Sequence, residues 1–189
     1  MEVNSTDHVA AKKALRIRLV LTDCDGVLTD AGVYYSAKGE EMKRFSMRDG
    51  MGVERLRKLA GVDTGIMTGE NSGIVAARAV KLEIRHLYLG IKDKHRELQA
   101  ILLANNLQPD EVAFIGDDLN DQTVIQAVGL SACPSDAMET IKGLADYVCR
   151  QPGGHGAFRE FAEFIIHAKM QQAPAEAAIP NGQDQGIIK

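Results

Sequence analysis

Short apolar runs recur along the chain, many of them ending in glycine, threonine or aspartate, and they alternate with stretches whose apolar positions fall three and four apart. Ile17–Asp23 is strand-like. Val33–Tyr35 and Met42–Phe45 flank Lys38-Gly39 and predict a hairpin. Gly52–Leu59 places Val53, Leu56 and Leu59 on one helical face. Asp63–Thr68 is a second short run, Ser72–Leu82 a helix, Ile84–Leu89 a strand and Lys94–Asn105 a strong helix. Pro109-Asp110 breaks the chain before Glu111–Ile115, and Gly129–Ala132 and Tyr147–Cys149 add two further strand candidates. Phe158–Lys169 reads as a final amphipathic helix. Strands alternating with helices predict an α/β fold: a Rossmann-like parallel sheet with helices on both faces. One domain is expected over 15–171, between a flexible arm at 1–14 and a tail at 172–189 whose Ala, Gln, Gly and Pro content predicts disorder.

Composition narrows the function classes. A chain of 189 residues that is 45% hydrophobic and 25% charged can bury one ordinary globular core. A net charge of −4 gives no basic footprint for nucleic acid or an anionic membrane surface. No apolar run approaches the ~20 residues that span a bilayer, and the polar N-terminus resembles no secretory signal. Three cysteines without CxxC spacing fit neither a disulfide framework nor a zinc site, so a cytoplasmic location is expected. Cys24 reads as a small buried residue at a strand end.

The chemistry concentrates where the apolar runs stop. Asp23-Cys24-Asp25-Gly26 follows the first run, Thr68-Gly69 the run at Asp63, and Gly116-Asp117-Asp118-Leu119-Asn120-Asp121 the run at Glu111. Residues at i and i+2 of a strand point the same way, so Asp23 and Asp25 converge unless the strand ends before them. Two acids aimed at one point need a cation or a proton between them. An EF-hand loop is excluded, because Leu28 and Tyr34 occupy the positions that need glycine and glutamate. In open parallel sheets, ligands bind beyond the carboxyl ends of the strands, where these clusters fall.

There Asp23 can attack phosphorus, Mg²⁺ suits the carboxylates and phosphate oxygens, and Asp117 is a ligand with Asp23. Asp118 and Asp121 either ligate directly or orient the waters around the ion. Asp25 is free for acid–base work. Thr68 can hydrogen-bond a phosphate oxygen, Lys94 can offset charge, and backbone N–H groups near Gly26 and Gly69 can approach phosphate closely. Taken singly, Thr68 also reads as a cap, Lys94 as a solvated helix residue, and Asp117–Asp121 as acids at a helix N-terminus.

Asp23-x-Asp25-Gly26-Val27, the Thr68 segment, Lys94 and Gly116-Asp117-Asp118-x-x-Asp121 resemble the four motifs of the haloacid dehalogenase superfamily of phosphohydrolases, over about residues 15 to 170. The resemblance implies a nucleophile at Asp23, an acid/base at Asp25, and Mg²⁺ held by Asp23, the Asp25 backbone carbonyl and Asp117. Phe45–Gly52, His86–Gly90 and Gly153–Glu160 are similar to the branch acting on phosphates of 3-deoxy-2-keto sugar acids. That branch includes the 3-deoxy-D-manno-octulosonate 8-phosphate (KDO 8-phosphate) phosphatases of lipopolysaccharide biosynthesis and the 2-keto-3-deoxynononate 9-phosphate phosphatases. It lacks a large cap domain and forms homotetramers in which a neighbour helps close the site. The chain agrees on the cap, since only ~25 residues separate Asp30 from the next helix, enough for a hairpin and not for a lid domain.

KDO 8-phosphate is the expected substrate, with two departures: glutamate stands at Glu70 and Glu54 where octulosonate enzymes commonly carry arginine. Glu70, Arg78 and Lys81 are similar to the nononate branch, and on a helix Arg78 and Lys81 share a face that could pair with a sugar-acid carboxylate. A surface ion-pair stripe is the alternative reading. Arg48 is a substrate candidate on the hairpin or a surface charge. Gly153-Gly154-His155-Gly156 is a gate or a plain linker, and His155 is expected to face solvent. KDN 9-phosphate or N-acetylneuraminate 9-phosphate hydrolysis, phosphoryl transfer to another hydroxyl, and a non-catalytic oligomerisation module are the competing functions.

Overall fold

A computed structural model describes residues 5–172. Its centre is a six-stranded parallel sheet of order β5-β4-β1-β6-β7-β8. β1 (Leu19–Thr22) lies between β4 (Asp63–Met67) and β6 (Val112–Ile115), with Thr22 level with Ile66 on one side and Ile115 on the other. β5 (His86–Tyr88) continues one edge; β7 (Leu130–Cys133) and β8 (Tyr147–Val148) continue the other. All four residues of β1 and of β6 are buried, as expected for strands covered on both faces.

Alternation divides the sheet between two cores. Val20, Ala113 and Ile115 face one, with Phe158, Phe161 and Ile165; Leu19, Leu21 and Phe114 face the other, with Leu98, Ile101 and Ile141. The first core is covered by α1 (Ser5–Ala14), α2 (Met47–Arg55), α3 (Gly73–Lys81) and α7 (Ala157–Gln172). The second is covered by α4 (Lys94–Asn105), α5 (Gln122–Ile125) and α6 (Glu139–Lys142). A separate antiparallel hairpin, β2 (Thr29–Ser36) with β3 (Gly39–Phe45), turns at Gly39, whose φ of 108° favours glycine.

Two expectations need revision. Residues 1–14 do not behave as a loose arm throughout: Ser5–Ala14 is α1, packed on α7, with Ala10 and Ala14 in the core. Its apolar face consists largely of alanines, a weak periodic signal that nevertheless permits close helix packing. The helix expected over Gly52–Leu59 begins earlier, at Met47, where the Ser46 hydroxyl accepts from the Arg48 and Asp49 N–H groups; it ends in a wider turn over Leu56–Ala60. Of the expected tail, only Gln172, the last residue of α7, is described; 173–189 lie outside the described residues.

Asp49 joins α2 to α7. It is buried, and its carboxylate accepts from the N–H groups of Gly156 (3.2 Å) and Arg159 (2.9 Å), closing the amino end of α7. Gly52 allows the close approach, since a Cβ there would stand 3.1 Å from the Arg159 backbone.

Candidate active site

The central strand order creates the site. β4 and β6 both flank β1, and the chain crosses over to opposite sides of it, so their carboxyl ends open a crevice at a topological switch point. Asp23, Thr68 and Asp117, far apart in sequence, follow these strands and line one cleft of about 360 Å³ with Asp25 and Glu70. Clefts of about 470 and 650 Å³ elsewhere are larger, so size does not single out this one; its convergent acids do.

Asp23, Asp117 and Asp121 each offer a carboxylate oxygen, all within 4.8 Å of one another. Lys94, at the start of α4 and 3% exposed, binds Asp121 at 2.6 Å and Asp23 at 3.0 Å. Asp121 also accepts from the Asp117 N–H at 3.0 Å, so it braces the turn after β6. Asp117 Oδ1 is buried without a hydrogen-bond partner among the described residues. A buried carboxylate oxygen facing two other acids is costly unless a cation takes it up. Three hard oxygen donors suit a small divalent ion such as Mg²⁺.

The electrostatics point the same way. Burial, then the charge of Asp121, pushes Asp23 up to about 7 against the opposing pull of Lys94. Burial, then the charges of Asp23 and Asp121, pushes Asp117 up to about 8. Burial favours a neutral Lys94, but Asp23 and Asp121 outweigh it and hold the ammonium above its ordinary range. One lysine thus faces three acids, and the cluster retains excess negative charge.

Asp25 takes a different direction from Asp23. The strand ends at Thr22, before either acid, so the i, i+2 convergence of carboxylates does not occur. Asp25 Oδ2 accepts from Lys43 of β3 at 2.6 Å and Oδ1 from the Thr29 hydroxyl at 3.1 Å. It lines the cleft but stands outside the acidic trio. Gly26, which follows Asp25, has φ 86°, and a Cβ there would lie 1.9 Å from Asp117 Oδ2, so no larger residue fits beside that carboxylate.

Thr68 is 2% exposed and accepts from the Glu70 N–H at 3.2 Å, so its hydroxyl proton is available to the cleft. Gly69 and Glu70 border the same space. Asp118 is exposed and accepts from its neighbour Leu119 N–H at 2.6 Å, whereas Asp121, its expected equal, is fully buried within the trio. Three substrate candidates do not reach this cleft within one chain. Arg48 lines the separate 650 Å³ cleft beside α7. Arg78 is bound to the Ser46 carbonyl at 3.0 Å and lies over Phe45, and Lys81 is exposed at the end of α3.

The glycine segment is bound on several sides: Gly153 N–H donates to Asp136, Gly154 N–H to the Val27 carbonyl and Gly156 N–H to Asp49. Cβ atoms at Gly153 and Gly154 would collide with Gly26 and Thr29, so the segment buttresses the Asp25 loop. His155 is exposed, 2.9 Å from Arg44. Cys24 is buried and free, and burial pushes its thiol far above the reactive range.

Lys43, Glu40 and Thr29 went unnoticed in the sequence. Glu40 and Lys43 read as ordinary surface charges on a hairpin, since lysine is rarely buried unless paired. Lys43 finds Asp25 18 residues away, and Glu40 finds Ser72 32 residues away.

Residues 82–160 match the family model of the haloacid dehalogenase-like hydrolases. The chain is 40% identical over 158 residues to the 3-deoxy-D-manno-octulosonate 8-phosphate phosphatase of Yersinia pestis, covering 84% of each chain. It is 38% identical over 175 residues to that of Escherichia coli K12, covering 92% of each. The crystal structure of the Y. pestis phosphatase superposes with a TM-score of 0.83 at 39% identity, covering 86% of this chain and 88% of the other. That of Moraxella catarrhalis, a complex with a magnesium ion, a phosphate ion and KDO, superposes with a TM-score of 0.82 at 33% identity, covering 86% and 92%. With the acid trio and its lysine at the switch point of such a fold, the chain belongs to the haloacid dehalogenase-like hydrolases, in the branch of the 3-deoxy-D-manno-octulosonate 8-phosphate phosphatases, and is a phosphoric monoester hydrolase.

Proposed function

We propose that the protein hydrolyses the phosphate ester of KDO 8-phosphate through an aspartyl-phosphate at Asp23. The observation that carries this reading is the convergence of Asp23, Asp117 and Asp121 on one point, with Asp117 Oδ1 buried and unbonded. Asp23, Asp117 and the Asp25 carbonyl would hold Mg²⁺, with Asp121 bracing Asp117 and Asp118 ordering water at the rim. When bound, the ion offsets the charge of phosphate and carboxylates.

The Asp23 carboxylate attacks phosphorus, and the bond from phosphorus to the sugar oxygen breaks. Protonated Asp25 gives its proton to that oxygen. A water then attacks the phosphorus of the aspartyl-phosphate and loses a proton to Asp25, which releases phosphate and restores the Asp23 carboxylate. Lys94 offsets negative charge at Asp23 throughout, and the Thr68 hydroxyl donates to a phosphate oxygen. The Gly26 and Gly69 backbones border the phosphate.

Glu70 on the cleft supports a second reading, hydrolysis of KDN 9-phosphate or N-acetylneuraminate 9-phosphate, with Glu70 accepting from sugar hydroxyls or an amine. The hairpin exposes Tyr34 and its cross-strand neighbour Met42, an apolar surface that suits a homotetramer. Such an assembly would offer the route by which Arg48, Arg78 or Lys81 reaches a neighbour's substrate. Three free buried cysteines support a cytoplasmic setting.

Initial rates on the three sugar-acid phosphates, with Mg²⁺ and with EDTA, test this reading. A clear preference for KDO 8-phosphate, lost on chelation and regained with Mg²⁺, supports it. Equal low rates on all three contradict the substrate assignment, and full activity in EDTA contradicts the metal.

A further inference from the structure

Lys43 is the least expected buried side chain among the described residues. Its side chain is 1% exposed although it rises from a hairpin whose neighbouring residues Met42 and Arg44 face solvent. Nζ lies 2.6 Å from Asp25 Oδ2 and 3.3 Å from Glu40 Oε2. Glu40 in turn accepts from the Ser72 hydroxyl at 2.5 Å, and Ser72 is buried just before α3, four residues beyond Thr68. Thr29 holds the other oxygen of Asp25. A chain of polar contacts therefore runs from the Thr68 segment through the hairpin to Asp25.

We infer that Lys43 is a positioning residue for phosphate-ester cleavage: its sealed ammonium fixes the Asp25 carboxylate at the cleft. The inference rests on the reading of Asp25 as the acid/base. A buried ammonium needs anionic partners, and both of its partners here are carboxylates. Lys43 borders the cleft, yet its burial leaves it little surface with which to meet substrate, so it acts through Asp25. Each Asp25 oxygen has one fixed donor, which removes the side chain's rotational freedom. Glu40 gives the ammonium a second anion, so Lys43 stays paired while Asp25 gains and loses its proton. Misplacing a reacting group by about 1 Å can cost ~10²-fold in rate.

A leaving-group comparison separates positioning from a merely structural tie. An alkyl oxygen must receive a proton as it departs, whereas p-nitrophenolate departs readily without one. The variants are Lys43→Met, Lys43→Arg and Asp25→Asn. For each, kcat/KM is measured on the sugar-acid phosphate that the intact enzyme prefers and on p-nitrophenyl phosphate.

Lys43→Met is expected to lower kcat/KM on the sugar ester by roughly 10- to 100-fold, through kcat, and on p-nitrophenyl phosphate by less than about 3-fold. Lys43→Arg is expected to recover most of the loss. The thermal shift on adding Mg²⁺ should persist in Lys43→Met. Equal losses on both esters, or a loss confined to KM, overturn the inference. If Asp25→Asn shows the leaving-group dependence and Lys43→Met does not, the Lys43 inference fails alone. If Asp25→Asn lacks that dependence, the acid/base reading itself fails. Should Lys43→Met not fold, Glu40→Gln takes its place and must show the same ester dependence at about 3- to 10-fold, or the inference falls.

Discussion

Two buried lysines serve the two ends of the cleft, and their supports differ. Lys94 opens α4, a helix locked to the sheet by Leu98 and Ile101, and it faces Asp23 and Asp121, which are 8% and 0% exposed. Lys43 stands on a two-stranded hairpin and faces Asp25 and Glu40, which are 25% and 19% exposed. The first pairing is built into the domain core. The second depends on where the hairpin lies, and an isolated two-stranded ribbon is marginally stable by itself. The part of the site that holds Asp23, the proposed nucleophile, is therefore rigid by construction, whereas the part that holds Asp25 is tied to an element whose outer face carries exposed Tyr34 and Met42.

Asp23→Asn should break the rim end most completely. Turnover is expected to fall at least ~10³-fold, because the proposed nucleophile is gone while the fold remains. The melting temperature should hold or rise, since a buried acid facing other acids has been neutralised. Substantial turnover in a clean Asn preparation would contradict the nucleophile assignment.

Lys94→Met tests the rigid pairing against the hairpin one. Removing the cation strands two buried carboxylates and should cost about 3 kcal/mol in denaturant titration, together with most activity. Lys43→Met should destabilise less, because its partners keep contact with water. Equal stability losses would erase the contrast between the two ends.

Metal removal should expose the rim's charge as a pH dependence. The folded-state values of Asp23 and Asp117, about 7 and about 8, lie above the ordinary carboxylate range, so the folded protein binds protons more tightly than the unfolded chain. Stability from this source is complete below about pH 4 and is lost as pH rises toward 8. Thermal melts in EDTA should fall between pH 5 and pH 8 by more than melts in Mg²⁺. A pH-independent gap between the two would show that the trio does not hold the ion.

At the hairpin, Tyr34→Asp should shift the proposed homotetramer toward smaller species in sedimentation, by burying charge in an apolar contact. Activity should fall at low protein concentration, and an unchanged mass would remove the hairpin from the interface. The smallest effect is expected at Asp49→Asn, away from both lysines. It keeps one acceptor for the α7 N–H groups but loses the charge, at about 1 kcal/mol.

Much of this arrangement was legible in the residue pattern. Short apolar runs that stop at Asp23, Thr68 and Asp117 become β1, β4 and β6, and the α4 helix spans the expected Lys94–Asn105. Those features are local, set by periodicity and by breakers within a few residues. Strand order, not sequence spacing, decided that β4 and β6 flank β1 and so that Asp23 and Asp117 meet. Tertiary packing alone brought Lys94 to Asp121 and Asp23, turned Asp25 toward the hairpin, capped α7 with Asp49 and buried Lys43 between two carboxylates. A charged side chain is buried only where distant segments supply its counter-charge, and the order of residues along the chain does not state which segments those are.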